Sequence, residues 1–372
     1  MRATTRLTAV AALAVVLGCA LVAPAGAAEA APDLRVSGNE LVDGPGAGHV
    51  VQLRGVNRSG LEYACIEGWG FFDSPHPNRV DSPAMIAAME TWDVNVVRVP
   101  LNEDCWLGVN TPRGRGGAAY RRIVESYVGE LNAAGLYVIL DLQEAAPGAL
   151  PAQHLDPLPD LDHAPAFWRS VASTFKRNHA LLFDLYTEPN HVGWPCWQHG
   201  CRIAPFDDGY GPQASYVAAG MQQLVSAVRS TGATQPLMLG GTGYSHDLSG
   251  WLSHEPLDPL HQLIASEHNY GVLSPCENVC RDAILATHRQ VPVVIGELGE
   301  TDCRDTYIDA FMPFADANGI SYLGWTWDAV APDSWTCAGG PSLIETYGGA
   351  PTPFGVGFRN HLRALGQPPL AP

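Results

Sequence analysis

The chain has one lysine, Lys176, against twenty arginines in 372 residues, and it has no run of basic side chains. Acids outnumber bases 38 to 21, for a formal net charge of −17. So acidic a chain repels phosphate backbones and anionic headgroups, which argues against nucleic acid and against adhesion to a membrane surface. Several chemical signatures are missing too. No Cys-x-x-Cys occurs, and His254-Glu255 runs into Pro256 without the second histidine of a His-Glu-x-x-His helix. The Gly-x-Ser-x-Gly nucleophile elbow and the phosphate-cradling glycine loop are also lacking. Neither a metal nor a cofactor is therefore expected. Outside the N-terminal leader, no apolar run approaches the ~20 residues of a membrane span.

What is present begins with that leader. Arg2 and Arg6 give a positive start, 7–22 an apolar stretch and 23–31 a run of small residues. This is the pattern of a secretory signal peptide, residues 1–28, cut near Ala28, and it predicts a secreted protein. Processing removes two arginines and no acid, so the net charge moves from −17 to −19. Lipoprotein-type anchoring at Cys19 is the weaker alternative, because the apolar run continues past it. The other eight cysteines are an even number in an exported chain, which predicts disulfides.

Residues 29–372 read as a single domain. Short β-branched apolar runs alternate with amphipathic stretches. The runs fall at 51–56, 95–100, 137–142, 181–186, 237–240, 263–268, 291–295 and 322–327. Between them Asp81-Ser82-Pro83 opens one helix, and Gly135, Gly232 and Gly319 close others. Near-continuous apolar strands imply burial on both faces, as in a parallel sheet covered by helices. Eight such units are the count of an α/β (β/α)₈ TIM barrel, with its active site on the loops that follow the strands. Residues 34–50 are expected to form a short N-terminal β-hairpin. Proline-rich 147–165 predicts a long loop after the third strand. All eight cysteines lie in segments that follow strands. Loop adjacency favours Cys65–Cys105, Cys196–Cys201, Cys276–Cys280 and Cys303–Cys337.

Two glutamates end apolar runs: Glu188 in Phe183-Asp184-Leu185-Tyr186-Thr187-Glu188-Pro189, and Glu297 in Val293-Val294-Ile295-Gly296-Glu297. A carboxylate is costly to bury unless it is paired or used. Two of them, 109 residues apart at strand ends, point to one cleft built from distant loops. Paired carboxylates are also what glycoside hydrolysis requires, one to protonate the leaving oxygen and one to attack or to activate water. Each could instead cap a strand or make a salt bridge.

Six motifs in order resemble glycoside hydrolase family 5, the cellulase family of retaining barrels, and secreted actinobacterial cellulase-like members in particular. They are Leu53-Arg54-Gly55-Val56-Asn57, Arg98-Val99-Pro100, Glu188-Pro189, His268-Asn269-Tyr270, Gly296-Glu297 and Trp325-Thr326-Trp327. The resemblance implies Glu188 as acid/base and Glu297 as nucleophile. Arg98 and Tyr270 would hold the nucleophile's charge, His268 would orient a carboxylate or bind a hydroxyl, and Trp325 or Trp327 would stack on the reacting sugar. Trp69, Trp106, Trp194, Trp197 and Trp335 lie in loops where a sugar face could also stack, though large rings are mostly core residues. Two positions depart from the family pattern. Thr187 stands where an asparagine precedes the acid/base, and the third strand ends in Asp141-Leu142-Gln143 rather than in histidine. Both changes touch the subsite of the reacting sugar. The expected activity is that of a retaining endo-β-1,4-glucanase acting on a β-linked polysaccharide or oligosaccharide, as a monomer. Mannanase, xylanase and exo-glycosidase activities are the alternatives, along with a non-catalytic carbohydrate-binding barrel.

Overall fold

The computed structural model describes residues 31–207, 212–271, 274–302, 304–329 and 342–366. Eight parallel strands close into a barrel: β1 (Arg54–Asn57), β2 (Val96–Asn102), β3 (Tyr137–Glu144), β4 (Leu181–Asp184), β5 (Leu237–Gly240), β6 (Leu263–Tyr270), β7 (Val293–Gly299) and β8 (Ser321–Gly324). Closure runs through β8 against β1, with Tyr322 opposite Arg54. Helices follow most strands, among them Ala118–Ala133, Ala164–Phe175, Met221–Arg229, Asn278–His288 and Thr306–Ala317. The start and stop signals behave as the sequence suggests. Ser82 accepts the Met85 N–H at 3.4 Å, and Gly135, Gly232 and Gly319 have φ of +82°, +81° and +69°.

Alternation along the strands sorts side chains into two cores. On β3, Val138, Leu140 and Leu142 face the helices, whereas Tyr137 and Ile139 face the barrel interior. The lower interior is filled by Leu53, Val96, Ile139, Leu182, Met238, Ile264, Val294 and Leu323, all fully buried. Gly55 on β1 is required by this packing, since a Cβ there would lie 1.9 Å from the Val96 carbonyl oxygen.

The expected hairpin at 34–50 is a three-stranded antiparallel sheet of Leu34–Ser37, Glu40–Asp43 and His49–Val50. Its Leu34 and Leu41 join the lower barrel cluster, so the sheet plugs the barrel floor. Val51 N–H donates to Leu41 O at 2.8 Å, which keeps 51 with the plug and delays β1 to Arg54. β8 ends at Gly324, before Trp325 and Trp327.

Three of the four expected disulfides form, Cys65–Cys105, Cys196–Cys201 and Cys276–Cys280, with S–S distances of 1.98, 1.99 and 1.99 Å. The fourth, Cys303–Cys337, lies outside the described residues, as do Cys19, the leader and Trp335. Among the described residues no helix is long and apolar enough to cross a membrane.

Candidate active site

At the C-terminal ends of the strands, the interior changes from apolar to ionic. Arg98 on β2 is fully buried there, and its guanidinium bonds five groups. Nε donates to Asp184 Oδ2 at 2.9 Å, and Nη1 donates to Asn57 Oδ1 at 2.9 Å and Glu297 Oε1 at 3.0 Å. Nη2 donates to Thr187 Oγ1 at 3.1 Å and pairs with Asp141 Oδ1 at 3.1 Å. One cation thus ties together β1, β2, β3, β4 and β7. Its full burial leaves no water to screen these contacts.

Glu297 is held on both oxygens. Oε1 accepts from Arg98 and, at 3.4 Å, from the Thr187 hydroxyl; Oε2 accepts a very short bond from the Tyr270 hydroxyl. Burial opposes its charge, but His268, Arg98 and the Tyr270 bond outweigh it and hold the carboxyl below the ordinary range. Glu188 is placed differently. Its side chain is partly open to solvent, and Oε1 meets His268 Nδ1 at 3.0 Å. Burial, with the Glu297 charge adding to it, raises this carboxyl above the ordinary range despite the histidine. Burial also disfavours a charged His268, yet Glu297 and Glu188 together raise its pKa. One oxygen of Glu188, one of Glu297 and a nitrogen of His268 lie within 4.8 Å of one another.

The strand ends are shaped to fit this cluster. β6 and β7 slip register between Glu267 and His268, which turns His268 and Glu297 to the same side. Gly296 leaves space for them, because a Cβ there would lie 2.7 Å from His268 Nε2 and 2.8 Å from Ser266 Oγ. Buried Ser245 clamps the acid side: its Oγ donates to Thr187 O at 2.7 Å, and its carbonyl accepts the His268 N–H at 3.2 Å.

The structure therefore gathers Arg98, Thr187, Glu188, His268, Tyr270 and Glu297. Gln143 follows Asp141 on the inward face of β3, with Oε1 buried and unpartnered. Trp325 is partly exposed, and its backbone N–H donates to Leu298 O at 3.0 Å, beside Glu297. Trp327 is a correction: it is fully buried, edge-on to Trp92 with ring centroids 4.8 Å apart, and offers no face to a sugar. Thr187 also differs from expectation, being fully buried with its hydroxyl between Arg98 and Glu297. Of the loop tryptophans, Trp106 and Trp197 are core residues and Trp69 is exposed. Sequence reading missed Asn57, Asp141, Asp184 and Ser245. The aspartates carried a usable signal, since each is a charge that follows three or more apolar residues of a buried strand.

The profile of the cellulase family, glycosyl hydrolase family 5, matches residues 46–330, well over half of the chain. A mannan endo-1,4-β-mannosidase of Streptomyces lividans is 27% identical over 314 residues, 82% of this chain and 68% of that protein. Endoglucanase MaCel5A of Microbulbifer sp. (strain ALW1) is 28% identical over 182 residues, 49% of this chain, and the match spans only 31% of that relative's length. Among solved structures, β-glucanase SdGluc5_26A of Saccharophagus degradans, in complex with cellotetraose, has a TM-score of 0.65 at 17% identity and covers 91% of this chain and 95% of that one. That likeness establishes the shared barrel. With the family profile spanning all eight barrel strands in full, the chain belongs to glycosyl hydrolase family 5.

Proposed function

We propose that the chain is a retaining endo-acting β-glycosidase that cleaves a β-1,4-linked glycan, with β-glucan as the first substrate to test. The observation that carries this reading is the divergence of two carboxyl groups in one cavity. Glu297 is held ionised by Arg98 and Tyr270, and Glu188 is pushed towards its protonated form. One oxygen of each lies within 4.8 Å of the other, which favours the ~5–5.5 Å carboxyl spacing of retaining enzymes over the ~6.5–9.5 Å that admits an inverting water.

In this mechanism Glu188 donates its proton to the leaving glycosidic oxygen while Glu297 attacks the anomeric carbon. Once Glu297 is esterified, its charge no longer raises Glu188. Glu188 can then take a proton from the water that releases the sugar. Arg98 and Tyr270 position the nucleophile, and His268 orients the acid. Trp325 supplies a ring for the reacting sugar, and Gln143 a polar group beside it. A β-mannan is the second reading, favoured because the mannosidase relative matches over more of this chain than the endoglucanase does. We further infer export, from the leader at 1–28 and the three disulfides.

Hydrolysis of β-glucan, mannan and xylan, run beside affinity gels containing the same polymers, tests the proposal. Release of oligosaccharides whose first-formed anomer is β supports it. Retardation in the gels without hydrolysis of any polymer would leave a binding barrel instead.

A further inference from the structure

A second group of ionisable side chains joins the end of β2 to the loop after β3, and the proposed reaction does not use it. Glu103 directly follows β2, while Asp160 and His163 directly precede helix Ala164–Phe175. One donor atom from each lies within 4.8 Å of the others. His163 Nδ1 is 3.7 Å from Glu103 Oε1, 3.7 Å from Asp160 Oδ1 and 3.3 Å from the Ala146 carbonyl oxygen. Glu103 and Asp160 are both sealed from solvent, yet among the described residues no N–H or O–H group donates to Glu103 Oε2 or Asp160 Oδ2, and Asp160 faces the carboxyls of both Glu103 and Asp162. No arginine or lysine is bonded to either carboxylate among the described residues.

Buried carboxylates with orphaned oxygens are costly, and something positive must compensate them. Burial, with the Asp160 charge adding to it, raises Glu103, and burial raises Asp160. A proton shared between the two would relieve the strain. It would leave Glu103 Oε1 and Asp160 Oδ1 each 3.7 Å from one imidazole nitrogen, which in the metal-free chain donates its proton to the Ala146 carbonyl and which an ion would bind in place of that proton. Two donors each about 2.1 Å from one ion can stand up to about 4.2 Å apart, so the 3.7 Å separations are within reach of a common centre. Imidazole with two carboxylates suits zinc or manganese better than calcium, which prefers an all-oxygen cage.

We propose that Glu103, Asp160 and His163 form a divalent-cation site for Zn²⁺ or Mn²⁺. The ion would pin the far end of the proline-rich β3 loop to the end of β2. It would thereby order the active-site face next to Gln143 without touching the reacting sugar. The site is independent of the glycosidase reading, since its three ligands are separate from Glu188, His268 and Glu297.

The test uses the full chain, stripped with EDTA, dialysed at pH 7.5 and titrated with ZnCl₂ or MnCl₂. Calorimetry should give one ion per chain with a Kd of about 10 μM or tighter, and melting should rise by several degrees, reversed by EDTA. His163→Ala is the safer variant, because His163 is 21% exposed, and it should abolish both effects. Glu103→Gln should do the same wherever it folds. Overturning results are a wild-type chain that ignores both metals and EDTA, or unchanged binding in His163→Ala. Calorimetric silence with Glu103→Gln as stable as the parent would assign the cluster to a shared proton.

Discussion

Glu188 and Glu297 are the same side chain in the same cavity, and what separates them is the set of neighbours that donate to each. Glu297 receives Arg98, Thr187 and Tyr270, whereas among the described residues Glu188 meets His268 alone. The pH dependence follows with a definite sign. Activity needs Glu297 ionised and Glu188 protonated. kcat/KM should therefore rise as pH climbs through a Glu297 pKa below the usual ~4.3, and fall as pH climbs through a Glu188 pKa above it. Glu188→Gln should abolish the alkaline limb on aryl glycosides with good leaving groups, which need little acid assistance. A limb that persisted would assign it to another group.

Thr187 gives a second test at this scale. Its hydroxyl joins Arg98 Nη2 to Glu297 Oε1. Thr187→Val keeps the shape and removes the link, so Glu297 should become easier to protonate. The acid limb should move to higher pH and kcat/KM should drop about tenfold, near 1.4 kcal/mol of transition-state stabilisation. An unmoved acid limb would show that the hydroxyl does not hold the nucleophile. Thr187→Asn, which restores the family's usual residue, should lower activity on the natural substrate without creating a stronger glucanase. A tenfold gain on β-glucan would mean that the site is a decayed glucanase site rather than a specialised one.

At the scale of elements, the barrel strands were legible because burial on both faces writes them as apolar runs, and the periodicity needs no tertiary information. Their ends were less so. A two-residue strand such as His49–Val50 carries no periodic signal, and the expected hairpin was one strand short. The resemblance offered both tryptophans after β8 as candidates for the reacting sugar, but the strand stops at Gly324, Trp327 turns into the core and only Trp325 of the two stays partly exposed. Loop adjacency paired Cys196 with Cys201 and Cys276 with Cys280 because short loops hold their ends together, and Cys65 with Cys105 because the segments after β1 and β2 are neighbours. Their weights should differ by loop length. Cys65–Cys105 closes 40 residues and should contribute about 4 kcal/mol, against about 2 kcal/mol for the 5-residue Cys196–Cys201 loop. Urea unfolding of the two paired Cys→Ser variants measures this; a larger loss for the shorter loop would contradict the chain-entropy account.

Across the whole molecule, the apolar floor and the ionic top of the barrel divide stability from chemistry. Leu41 belongs to the floor, 3% exposed and packed with Leu53, Val96 and Leu323. Leu41→Ala should cost about 2–5 kcal/mol of stability, read by denaturant melts, with kcat at 25 °C unchanged. A fall in kcat without a fall in stability would mean that the floor and the site are coupled. What the sequence could not show was the web beneath the glutamates. Arg98 collects Asn57, Asp141 and Asp184 from three other strands, and that convergence exists only once the barrel closes.

The central claim is that Glu297 is the nucleophile and Glu188 its acid partner. A 2-deoxy-2-fluoro β-glycoside with an activated leaving group, of whichever sugar the hydrolysis tests single out, should esterify the nucleophile and stall there. Mass spectrometry of the digested protein should then find one sugar on the peptide that contains Glu297, and none on the same peptide from Glu297→Ala. A label on Glu188, or steady turnover of the natural glycan with no residue ever labelled, would contradict the assignment.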